Sequence, residues 1–79
     1  MPETSAEVLR WQFAKRGQRI TCAVLARGQR TFDVMTLQHG QIRNAAVETF
    51  HAAVDALGRH AAIASQLRSR GWSVTAYTS

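Results

Sequence analysis

Val8-Leu9-Arg10-Trp11-Gln12-Phe13, followed after a short turn by Ile20-Thr21-Cys22-Ala23-Val24-Leu25, is the stretch on which the fold turns. In the first run Leu9, Trp11 and Phe13 alternate with Val8, Arg10 and Gln12; in the second Ile20, Cys22 and Val24 alternate with Thr21, Ala23 and Leu25. A large apolar residue at every second position is the pattern of a strand with one buried face. Between the runs, Lys15-Arg16-Gly17-Gln18 reads as a turn, its glycine free to take a positive φ. Pairing Leu9 with Val24, Trp11 with Cys22 and Phe13 with Ile20 sets both apolar series on one face. A slip of one residue would turn one series to water, so the pattern selects its own register.

Working outward, Arg27-Gly28-Gln29-Arg30 is the next turn, and residues 31–37 form a third strand. Phe32, Val34 and Thr36 lie on one side of it, Asp33, Met35 and Leu37 on the other. His39-Gly40 suits a further hairpin. The stretch from Ile42 to Phe50 admits two readings. As part of a helix running from Asn44 to Arg70 it would be roughly 40 Å long and overhang strands of about 25 Å. As a fourth strand over residues 42–48 it leaves a helix over 49–70, with Thr49 as N-cap, that matches the sheet. The strand reading is preferred. The helix carries an apolar stripe of Ala53, Leu57, Ala61 or His60, Ala64 and Leu67, bordered by Val54 and Ile63. Gly71 fits the left-handed position after the helix, with Trp72 placed to pack on Leu67. Residues 72–78 alternate again as a short extended strand.

The expected architecture is therefore α+β: a single domain over residues 1–79, with a disordered tail over 1–6 and a four-stranded antiparallel meander over 7–48. One long helix packs on one face, and a short C-terminal extended strand follows. A chain of 79 residues buries only about 60% of its unfolded surface, so the core is small. The 46% apolar content still favours folding over disorder. No apolar run is long enough for a membrane span, and the acidic, polar first residues do not resemble a secretory signal. The single cysteine, Cys22, excludes an intramolecular disulfide and fits a reducing, cytoplasmic compartment.

Catalytic motifs are absent. No nucleophile elbow, phosphate-cradling loop or dinucleotide glycine pattern occurs, and Glu3, Glu7, Asp33, Glu48 and Asp55 are scattered rather than paired. Cys22 is expected in the core as a small hydrophobe. His51, Asp55 and His60 do not amount to a closed metal site. Neither enzymatic activity nor a cofactor is expected.

Two kinds of surface remain. The net charge is +5, from nine arginines and one lysine against five acids, with a sequence pI of about 11.2. Lys15, Arg16 and Arg19 cluster at the first turn, and Arg27 and Arg30 flank the second. Either group could neutralise phosphates nonspecifically, although consecutive turns of a meander lie at opposite ends of a sheet. The second surface is apolar. A helix covers one sheet face only, leaving Val8, Leu25, Met35, Leu37 and Ile42 on the other, while Tyr77 marks the terminal strand as an edge available for pairing. The primary expectation is a non-enzymatic interaction module that self-associates through this face or edge; nucleic-acid binding through the turns is the alternative.

Gly40-Gln41, Phe50, Ala53, Ala56 and Gly71-Trp72 resemble positions in the second half of WGR domains. That likeness implies a sheet-plus-helix module associated with nucleic acid. The Trp-Gly-Arg signature is absent, the turns reading Lys15-Arg16-Gly17 and Arg27-Gly28-Gln29, and membership does not follow.

Overall fold

The computed structural model describes residues 6–40 and 45–78. Five strands and one helix follow in the order β1 (Ala6–Lys15), β2 (Gln18–Ala26), β3 (Phe32–Gln38), β4 (Ala46–Phe50), α1 (Ala53–Ser69) and β5 (Ser73–Thr78). All strand pairs are antiparallel, and the spatial order is β4-β3-β2-β1-β5. The fold is α+β, and the terminal strand joins the meander as its fifth member.

The first hairpin has the register that alternation selects: Leu9 opposite Val24, Trp11 opposite Cys22 and Phe13 opposite Ile20. Its loop is the two residues Arg16 and Gly17, with φ of 52° and 79°. Positive φ at both positions defines the loop whose twist suits a hairpin. Val8 is the extra residue of a bulge between Glu7 and Leu9. A second irregularity, between Gln12 and Phe13, lets β5 pair so that Tyr77 stands opposite Trp11 and Val74 opposite Phe13.

Helix α1 leaves β4 at one sheet edge and delivers the chain to β5 at the other, so it must cross the sheet, and it packs chiefly over β2 and β3. Phe13, Ile20, Cys22, Val24 and Val34 form the core with Ala56, Ile63 and Ala64 of the helix. The helix ends as a Schellman motif: Trp72 N–H donates to the Leu67 carbonyl at 3.0 Å and Gly71 N–H to that of Arg68 at 3.1 Å. Gly71 sits at φ 93°, as that motif requires.

Two expectations are corrected. The helix begins at Ala53 with Ala52 as N-cap, because Thr49 belongs to β4 and its hydroxyl donates to Asp33 at 2.7 Å. The core-facing helix stripe is Ala56, His60, Ile63 and Ala64, while Ala53 and Ala61 are exposed and Leu57 is 42% exposed. In β4, Glu48 pairs with Val34 and turns to the helix side, where it meets Arg59 at 2.9 Å; Val47, opposite Met35, takes the open face. Residues 1–5 of the expected tail, and Ile42 of the expected fourth strand, lie outside the described residues. Ala6 already belongs to β1.

Candidate functional site: an apolar sheet face, a groove and a basic end

The open face follows from the registers. Arg10, Ala23, Met35 and Val47 make one row across β1 to β4. Gln12, Thr21 and Leu37 make the next row towards the first hairpin turn, and Glu7, Leu25, Asp33 and Thr49 the row on the far side. Leu25, Met35 and Leu37 therefore run diagonally through the middle of the face, with Val47 beside Met35 and 60% exposed. Ala23 and Thr21, on the central strand, are buried without a second layer because their larger neighbours close over them. Val8, in its bulge beside Leu25, is 38% exposed. An antiparallel sheet wetted on one side ordinarily shows polar residues there. Here the centre is apolar.

Polar groups form the rim, most of them already engaged. Asp33 accepts from Arg27 at 3.0 Å and from Thr49 at 2.7 Å, and these bonds hold its carboxyl below the ordinary carboxylate value. Thr21 Oγ1 and His39 Nε2 are 2.7 Å apart on the side near the first hairpin turn. Arg10 lies 3.5 Å from Glu7. The result is a hydrophobic centre inside a polar ring that is paired in large part, the arrangement found in protein interfaces.

On the other face, α1 does not cover β1 completely. Leu57, Ala61, Ser65 and Arg68 descend one side of the helix and, facing Leu9 and Trp11, bound an open groove of about 750 Å³. Tyr77, 70% exposed and opposite Trp11 on β5, does not line the groove itself but holds its ring 6.0 Å from that of Trp11, which does. His60 closes the floor. It is buried, meets Trp11 edge-on at 5.3 Å, and its Nε2–H donates to the Cys22 carbonyl at 3.3 Å. Burial pushes His60 below the ordinary histidine value, with the carbonyl bond opposing. Burial likewise raises the Cys22 thiol, against weaker opposing effects from the Thr36 hydroxyl and Arg59.

The basic residues separate by end of the sheet. Lys15, Arg16 and Arg19 share one end with the helix C-terminus, where Lys15 Nζ donates to the Arg70 carbonyl at 2.5 Å. Arg68 and Arg70 thereby join the first-turn cluster, a convergence that linear spacing did not disclose. Arg27 and Arg30 stand at the opposite end, and Arg27 is committed to Asp33. The two turns do not form one surface. Of the expected interface residues, Leu25, Met35 and Leu37 come together and Val8 borders them; Tyr77 lies on the helix side at the β5 edge. Val47 and the groove were missed. Val47 needed the β4 register and the groove needed the roll of the helix, and neither is written in local periodicity.

Comparison with protein-family models, with curated proteins and with solved structures finds no match for this chain. Among the described residues no group of three or more His, Cys, Asp and Glu could hold a metal ion, and no helix is long and apolar enough to cross a membrane.

Proposed function

We propose that this chain is a non-enzymatic interaction module that self-associates through its open sheet face, in a cytoplasmic compartment where Cys22 stays a thiol. The observation that carries the reading is the contiguous patch of Leu25, Met35, Leu37 and Val47 in the middle of a face that no other described residue covers. Five strands about 4.8 Å apart, each contributing about seven residues at 3.4 Å, make a face roughly 24 Å square. The accessible area of such a face approaches the roughly 800 Å² per partner of a standard interface. A second copy is the occupant that fits best. The patch is apolar, the charges beside it (Arg10 with Glu7, Arg27 with Asp33) are paired within the chain, and Arg19 stands exposed at the turn end of the face, so a matching surface meets the patch itself without stranding a charge. A small core also gains most from apolar burial against a partner.

The groups that catalysis would recruit are occupied otherwise. His60 is bonded to a backbone carbonyl, burial holds Cys22 towards its thiol form, and Asp33 and Glu48 are paired with arginines. Sedimentation equilibrium across the micromolar range tests the reading. The chain should sediment as a dimer, and Met35→Glu should sediment as a monomer with an unchanged circular dichroism spectrum. A wild-type monomer at high micromolar concentration would refute self-association. A Met35→Glu dimer would place the interface elsewhere.

A further inference from the structure

The groove and the basic end lie on the surface that open-face association leaves free. The groove is bounded by one helix stripe from Leu57 to Arg68, a length of about 17 Å at 1.5 Å per residue. Its final turn brings it to the end of the sheet where Lys15, Arg16 and Arg70 gather, while Arg19, opposite Ala14 in the row beyond Gln12 and Thr21, stands on the open face. Arg68 belongs to both, as a wall of the groove and a cation of the cluster.

Charge is strongly segregated. Glu7 and Asp33 lie towards the far end of the sheet, Asp55 lies in the first turn of α1, and Glu48 is paired with Arg59. Among the described residues no carboxylate accompanies the four cations Lys15, Arg16, Arg68 and Arg70, and none of the arginines there forms an ion pair with one. The Lys15 bond to the Arg70 carbonyl and the Schellman bonds tie the hairpin turn to the helix end, so these cations are presented on a preorganised frame. Beside them stands an aromatic wall, Trp11 half-buried and Tyr77 open.

We propose that the groove and the basic end together bind single-stranded nucleic acid. Phosphates run over Lys15, Arg16 and Arg70, a base enters the groove against Trp11 with the neighbouring Tyr77 ring beside it, and Arg68 serves the junction. Arginine clusters supply salt-dependent affinity for any polyanion. Aromatic faces beside them add stacking, which is open to unpaired bases and closed to bases inside a duplex. An acidic peptide would satisfy the cations and leave the aromatic wall unused.

Fluorescence anisotropy of the full chain with a short labelled oligothymidylate, a blunt duplex of equal length and polyglutamate as competitor decides the matter. The single strand should bind about tenfold more tightly than the duplex, and polyglutamate should compete poorly. Arg16→Ala should make the log–log salt dependence shallower by about 0.7 and Arg68→Ala/Arg70→Ala by about 1.4, which is about 0.7 for each phosphate no longer neutralised. Tyr77→Thr, which keeps strand propensity, should weaken binding at least about fivefold without changing the salt slope. Equal affinity for the duplex, equal competition by polyglutamate, unchanged binding by Tyr77→Thr, or no binding at about 50 mM salt would each overturn the assignment. Met35→Glu, on the opposite face, separates this outcome from the fate of the self-association reading: it should retain oligonucleotide binding per monomer.

Discussion

Arg16 occupies a backbone conformation that suits few side chains. Its φ of 52° lies in the left-handed region, where an ordinary L residue costs roughly 1 kcal/mol and asparagine far less. Arg16→Asn should therefore stabilise the fold by about 0.5–1 kcal/mol and raise the melting temperature by a few degrees, measured by thermal denaturation. His60 gives the second residue-scale expectation. Its folded value is depressed below 6.5, so as pH falls the unfolded chain takes up the proton first. The contribution of the neutral ring is complete above about pH 6.5 and is lost as pH drops from there through the folded value. Melting temperature should fall between about pH 7 and 5, and His60→Gln should flatten that part of the profile. Asp33, also depressed, acts in a separate window below its ordinary value of 3.8. His60 could be placed on or near the helix stripe from spacing alone. Its burial could not, because that depends on the Cys22 carbonyl meeting it across the sheet.

At the scale of elements, the hairpin was the most readable part of the chain. A one-residue slip would turn Trp11 and Phe13 away from the interior that Cys22 and Ile20 face, and the structure has the register that keeps them together. The start of α1 was harder. Thr49 is a good N-cap by type, yet it sits in β4 and serves Asp33, so a tertiary hydrogen bond displaces a local preference. The roll of α1 was also hidden. An alanine-rich helix offers several stripes of similar apolarity, and the hydrogen bond of His60 selects among them by turning Leu57 and Ala61 towards the groove. Two glycines in this region separate propensity from geometry. Gly58 lies within the helix, with open space where a Cβ would sit, so Gly58→Ala should stabilise by roughly 0.5–1 kcal/mol. Gly71→Ala should destabilise by about 1–2 kcal/mol, because φ 93° strains any Cβ even though Lys15 Cε, 3.5 Å away, leaves room for it. Chemical denaturation of the two variants should move the midpoint in opposite directions.

At the scale of the whole molecule, one helix spread over five strands leaves two surfaces that the described residues do not fill. The open face was readable in part, since Leu25, Met35 and Leu37 alternate away from the core residues. The groove and the joined basic end were not, because both require β5 and the helix C-terminus to return beside β1. With the open face closed against a second copy, two grooves and two basic ends would point outwards from a shared apolar layer. Isotope-filtered nuclear Overhauser spectroscopy on mixed labelled and unlabelled protein probes that layer most directly. Intermolecular cross-peaks are expected from the methyl groups of Met35, Leu37 and Val47 and none from Tyr77. Intermolecular cross-peaks confined to β5, or none at a concentration where the chain sediments as a dimer, would contradict self-association through the open face.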